Sequence, residues 1–448
     1  MAYTQVTFQQ LVDTLALRLA DTNRKFWIEA EMESYLIESL RTWQAMSAYL
    51  SINVPITLTP NTVLFDLIDL VPEIAPSVTD RDLILDIQRA LQEPTSATSW
   101  IGSDQFNYPQ MVAAIQKRLD RFVLETGIRL SITEQAVAGN PVELDDAVID
   151  VRRAMWKTDP EGIYSVMWKA DPIQMAAYAP KWSTTSSSLN PPTDYTVGLQ
   201  LPLTMEITPQ PTVAGKVALL TVQSRPTLDP ATTATILGIP DDLCWIIKYG
   251  ALAEILAADG PGEDMARVGY CESRWRDGIQ LARVYNTVRN AFINGNPAFI
   301  DPLSELDRST PNWVNSLAGV PQFIGVAQNI LAVSPITDNS NPSVSLDITP
   351  KFPVPALGDF VQVGKENLSV ILDYAEHLAH FKEGMSEIQV SQDLLRNMLV
   401  LAGVQNDRIR AMIKTLDVMT SLTNRDKHFN TRRATDSSLQ EIAYQEPE

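Results

Sequence analysis

The stretch "GIPDDLCWIIKYGALAEILAADGPGEDMARVGYCESRWRDGIQLARVYNTVRNAF", residues 238–292, decides how this chain folds. Asp241 and Asp242 follow Pro240 and precede Leu243, Ile247, Gly250, Ala253 and Ala257 at helical spacing, the pattern of a capped helix start. Gly260, Pro261 and Gly262 stop that helix. A second helix follows, with Glu263 and Asp264 in its first turn, where the macrodipole favours acids. Met265, Val268, Cys271, Trp275, Ile279 and Ala282 line one face of it, so a helical hairpin is expected.

Just upstream the period is that of strands. "LTMEITPQPTVAGKVALLTVQSRPTLDP" reads as extended segments 203–208 and 216–223, separated by Pro209, Pro211 and Gly215, and is expected to pair as a β-hairpin. Nearer the start, Phe8, Leu11, Leu15 and Leu19 mark one helix and Met32, Leu36, Leu40, Trp43 and Met46 mark a second. "INVPITLTPNTVLFDL" then reads as a hairpin turned by Pro60 and Asn61. Leu83, Ile87 and Leu91, then Trp100, then Ile115, Leu119 and Phe122 repeat that order. The recurrence reads either as a degenerate tandem repeat or as two amphipathic hairpins that look alike.

A β-hairpin that leads through a PDD turn into a hydrophobic helix, followed by a helix with an acidic start, resembles the head-to-tail adaptor (connector, tail-tube-A-like) proteins of tailed phages. The likeness is one of order and pattern over residues 6–290, including "PVELDDAVIDVRRAMW" at 141–156. It implies a structural virion protein in the neck, made in the host cytoplasm, and not an enzyme. It also implies a homo-oligomeric, twelvefold ring between portal protein and tail or nozzle protein, with an acidic lumen through which DNA passes without specific binding. The chain departs from compact adaptors in continuing far beyond Phe292. The alternatives are another neck or tail component, such as a nozzle, gatekeeper or tail-tube subunit, and more remotely a carboxylate-type tail hydrolase.

Composition sets the same bounds. The 448 residues predict about two to four domains at roughly 100–200 residues each. A net charge of −19 argues against a protein that holds DNA by neutralising phosphates. Cys244 and Cys271, the two cysteines, fall on helix faces and read as buried thiols. No window approaches the about 18 consecutive apolar residues of a membrane span, and the N-terminus lacks the pattern of a signal peptide.

The expected fold is mainly α with smaller β-hairpin and sheet elements (α+β): a helical-hairpin body, an extended arm and C-terminal helices. Residues 1–158 form N-terminal hairpins, 159–293 complete the body, 294–365 form an extended apolar arm lying on a neighbour, and 366–448 form a helical region with a basic tail. Leu368, Ile371, Leu372, Ala375, Leu378 and Ala379 mark its first helix.

Catalytic, cofactor and metal sites are not expected. His377 and His380, beside Glu376 and Glu383, have metal-ligand spacing but read as exposed residues on a polar face. Tyr164, Trp168, Tyr178 and Trp182 read as core or interface rather than a base-stacking platform. Between 405 and 435 seven basic residues stand against three acidic ones, an asymmetry suited to docking on an acidic partner. The docking residues would be Arg408, Ile409, Arg410, Met412, Ile413, Lys414, Leu416, Met419, Arg425, Lys427, Arg432 and Arg433.

Overall fold

The computed structural model describes residues 5–60, 62–93, 95, 106–137, 139–158, 164–178, 180–182, 186–187, 191–198, 203–228, 234–260, 262–309, 313–315, 319–336, 343–384 and parts of 388–406. Helix α1 (Phe8–Arg18) starts at a capping box, in which Thr7 and Gln10 each accept the other's backbone amide. Helix α2 (Glu29–Ser47) buries Met32, Leu36, Leu40, Trp43 and Met46, the face the spacing predicts. After β1 (Ile52–Ile56), β2 (Leu64–Asp66) and α3 (Leu67–Leu70), a second helical hairpin follows, α4 (Asp80–Ala90) and α5 (Tyr108–Thr126). Leu83, Ile87, Ile115, Leu119 and Phe122 are buried in it; Trp100 lies outside the described residues.

The chain then makes β3 (Leu130–Val137), β4 (Val142–Glu143), β5 (Val148–Thr158), β6 (Ser165–Lys169), α6 (Pro172–Tyr178), β7 (Ser186–Ser187), β8 (Asp194–Val197), β9 (Thr204–Thr208), β10 (Gln210–Pro211) and β11 (Gly215–Gln223). The expected helical hairpin is present as α7 (Cys244–Leu256) and α8 (Met265–Val284). Then come β12 (Val288–Ile293), β13 (Asn296–Pro297), β14 (Phe299–Pro302), α9 (Leu303–Ser309), β15 (Phe323–Ala327), β16 (Ile330–Ser334), β17 (Val344–Ile348) and α10 (Lys365–Ala379).

This is an α+β protein, and the helix-dominated reading is corrected: seventeen strands occur among the described residues. The largest sheet has seven strands in the order β3-β11-β5-β6-β8-β9-β4. Its end strands, β3 and β4, are consecutive in the chain, so the sheet curls back on itself into a nearly closed barrel. Val151, Trp156, Met205, Ile207, Val217 and Leu219 pack together in one of its cores. Met155, Ala218 and Leu220, from the alternate positions of β5 and β11, pack on Leu64, Trp313 and Ile330. Both faces of β11 are therefore covered, which hides the half-buried alternation expected of a surface strand.

Two hairpins expected from the sequence are not formed. β1 pairs with β17 and β2 with β16, so the segments either side of Pro60 join different four-stranded sheets. β9 lies between β8 and β4, whereas β11 lies between β3 and β5. The extended arm is also corrected. Its strands β13 to β17 fold back on β1, β2 and β12, and Phe65, Leu67, Ile324, Leu331, Val344 and Leu346 share a core there. The apolar composition that reads as a surface for a neighbour is satisfied within the chain.

The helices share a separate core with α7 at its centre, where every residue except Glu254 is buried. A helix apolar all round belongs inside a bundle. Its close fit against α8 depends on glycines: a Cβ at Gly278 would stand 2.6 Å from Ile246, and one at Gly250 would stand 2.5 Å from the Trp275 ring. Gly269, on the same helix as Gly278, faces open space. Gly278→Val is expected to cost about 1–3 kcal/mol by overpacking. Gly269→Ala should instead gain up to about 1 kcal/mol from helix propensity. Urea midpoints of the two variants should move in opposite directions, and a common direction would refute the packing assigned to α8.

Candidate functional site

The PDD turn lies where the helices meet the sheets. Asp241 accepts the backbone amides of Ser77 at 2.7 Å and Val78 at 3.0 Å, and also the Ser77 hydroxyl. Asp242 accepts the Phe352 amide at 3.2 Å. Neither carboxylate caps α7, whose N-terminus has no side-chain cap, so the cap read from the sequence is corrected. The two acids instead tie three distant segments together. The amides of Asp80 and Leu237 extend this clasp, donating to Thr235 O at 2.9 Å and Val78 O at 3.0 Å. Burial pushes the Asp242 carboxyl up to about 7 against an ordinary 3.8, with the Phe352 amide and Arg41 opposing. Asp242 Oδ2 has no hydrogen-bond partner among the described residues.

Beside the clasp opens a cleft of about 920 Å³, between the helices, the seven-stranded sheet and the turn joining β15 to β16. Its walls carry Ile74, Ile128, Leu130, Ile236 and Tyr285, and its polar groups include Arg129, Asn329 and Lys351. Lys351 Nζ donates to Ala75 O at 2.9 Å and stands 4.0 Å from Asp241. Arg225 meets Asp120 at 2.9 Å. Arg129 donates to Ser224 O and lies against Gly238, whose φ is +71° and whose missing side chain leaves the guanidinium room. Burial lowers the Arg129 pKa, and among the described residues no carboxylate pairs with it. These groups come from separate segments, so no spacing in the sequence marks them.

The bundle interior holds a second polar system. Lys248 of α7 pairs with Glu38 of α2, both buried. Arg274 of α8 stacks 4.4 Å from the Trp245 ring and donates to the Tyr374 hydroxyl of α10. Arg118 binds Glu254 at 2.7 Å and also Glu272. These links join helices of the bundle.

The exposed reading of His377 is corrected. It is fully buried, with Nε2 2.9 Å from the Tyr270 hydroxyl and Nδ1 2.7 Å from the Ser391 hydroxyl. Burial first, then Arg274, lowers its pKa to about 3, so it is neutral. His380 turns instead to Glu383 at 2.5 Å, and the two imidazoles share no ligand position. Cys244 and Cys271 are free and buried. Tyr164 is buried with its hydroxyl on Glu134, whereas Trp168 and Tyr178 are exposed. The twelve docking residues named from the sequence, Arg408 to Arg433, lie outside the described residues. No family model matches the chain, and no curated protein matches it either.

The folded state favours protonated Asp242, so that carboxyl contributes stability below about pH 4 that is lost as pH rises through about 7. Asp242→Asn, which keeps an acceptor for the Phe352 amide, should melt higher than the parent at pH 8. The two should converge near pH 4, and thermal melts giving a constant difference across that range would refute a titrating Asp242.

Proposed function

We propose that the protein is a structural subunit of a tailed-phage neck, a head-to-tail adaptor that forms a ring between portal and tail and surrounds a DNA channel of acidic character. The observation that carries the reading is α6. Its seven residues, "PIQMAAY", are apolar but for Gln174, and none is buried. Ile173 is 76% and Tyr178 88% exposed, and Trp168, shortly before the helix, is 52% exposed. Surfaces of this kind mark places where a protein meets another. A stacked and exposed pair, Phe299 and Phe323, stands on strands β14 and β15, with ring centroids 6.1 Å apart. Two separate apolar surfaces on one chain suit the head-to-tail contacts that close a ring, in which unlike patches of neighbouring copies meet. The net charge of −19 suits a channel wall that repels phosphate. The basic residues 408–433 are assigned to docking on an acidic partner such as the portal.

The strand content favours a second reading, a nozzle, gatekeeper or tail-tube subunit. Such proteins need many strands, and the described residues contain far more than the sequence pattern predicts.

Native mass spectrometry of the protein alone and mixed with portal separates the two. A portal-bound ring of identical copies is the expected result, and a monomer that ignores portal would sink the adaptor reading. The same preparation should not retain duplex DNA at ~0.15 M salt, where repulsion still reaches roughly 8 Å. Tight retention would refute the acidic channel.

A further inference from the structure

We infer that the cleft beside the PDD turn is a binding site for an amphipathic monocarboxylate, an apolar body carrying one carboxylate group held by Arg129. The site is independent of the neck assignment.

Three observations converge on this chemistry. The cleft, at about 920 Å³, lies at the upper end of the range for ligand pockets, and it sets apolar walls beside many polar and charged groups. Its apolar walls, Ile74, Ile128, Leu130, Ile236 and Tyr285, suit an aliphatic or aromatic body. Its cations are not equivalent. Arg225 is engaged by Asp120, and Lys351 is turned to Ala75 O and Asp241. Among the described residues the Arg129 side chain donates to the carbonyl of Ser224 alone, and one carbonyl leaves most of a guanidinium's five donors for a ligand. A partly buried guanidinium without a carboxylate is an incomplete ion pair, and a planar carboxylate matches its fork.

The rim sets the charge of the ligand. Asp145 and Asp146 are exposed at the cleft edge, where they would oppose a dianion such as phosphate more strongly than a single carboxylate. Gly238 contributes by shape. Its positive φ and missing side chain leave the guanidinium its place, since a Cβ there would stand 2.9 Å from Arg129 Nε.

The same chemistry has two sources, a free acid or the carboxylate end of a partner's chain, and the probes separate them. Octanoate represents the first, with octanol as its uncharged control. N-acetyl-Leu-Leu represents the second, with its C-terminal amide as control. Calorimetric titration of the full-length chain should show binding of octanoate, of the dipeptide acid or of both, with each acid at least tenfold tighter than its control. Arg129→Met should lose at least tenfold in affinity for whichever acid binds. Ile236→Trp, a substitution at a half-exposed residue of the cleft wall, blocks the site without altering Arg129 and should abolish binding even where Arg129→Met folds poorly. Octanoate binding alone places the ligand among free acids, and dipeptide binding alone places it at a chain end. Absence of binding by both acids, or binding unchanged in Ile236→Trp, overturns the proposal.

Discussion

A lysine placed in the middle of a helix that is buried all round has to meet a carboxylate, and in this protein the meeting of Lys248 with Glu38 fixes how the helices lie. Burying an unpaired ammonium costs several kcal/mol even after relaxation, so α7 settles only where α2 brings its acid. Lys248 also stands 4.9 Å from the Tyr249 ring, which shields it further. The same logic operates one helix away. Among the described residues Arg274 of α8 pairs with no carboxylate and is surrounded by the rings of Trp245, Tyr249 and Tyr374, so its side chain links α8 to α10 as Lys248 links α7 to α2. Apolar packing is tolerant of small slides between helices, whereas these charged contacts hold at one register.

Once α2 and α8 are placed, the strands that leave them have little choice. β1 begins five residues after the end of α2, and β12 begins four after the end of α8. Arg289 reaches back to Ala48 O at 2.9 Å and holds the two exits together. β17 then fills the slot between β1 and β12, antiparallel to both. The chain leaving β17 returns to the bundle, where Gln44 Nε2 donates to Pro350 O at 3.0 Å and Phe352 donates to Asp242. The PDD turn is thus the place where the sheet's last strand is tied back to the helix that organises the bundle. The large cleft exists because three bodies joined at one clasp cannot close on one another completely.

The parts of this architecture that were legible in the sequence are those whose signal is local. The buried faces of α1, α2 and α10 repeat every three or four residues, and a helix satisfies its own backbone, so period alone is enough. Strand pairing carries no comparable signal. Ile52 faces Ile348 and Leu64 faces Ala332, partners that no spacing announces. Strands covered on both faces, such as β11 and the wholly buried β16, lose their alternation as well. Asp241 and Asp242 look like caps because an acid before an apolar helix usually is one; the amides they bind lie far away in the chain. A single buried face on α10 would leave His377 exposed, yet Tyr374 and His377 are buried on a second one. Of the cleft, Pro240 and Asp241 belong to the PDD turn and Asp145 and Asp146 to the stretch 141–156, but nothing in those motifs marks Arg129 or the walls around it.

The exterior obeys a different constraint from the interior. Nearly every cation inside the bundle has been given a carboxylate, a ring or a hydroxyl, whereas α6 offers Ile173 and Tyr178 to solvent. A seven-residue helix is too short to be stable by propensity alone. It is held at its start by Asp171, which accepts the Ile173 amide at 2.7 Å, and so stays ordered without burying its own apolar side chains. An apolar surface of this kind on a chain of net charge −19 experiences two opposed forces when copies meet. Charge repulsion acts first and over roughly a Debye length of about 8 Å at physiological salt, while apolar contact acts only on touching. Copies carrying both features repel at a distance and attract on contact, and a partner of opposite charge would remove the first of these forces. Under the proposed neck reading, assembly would then follow the template rather than concentration alone.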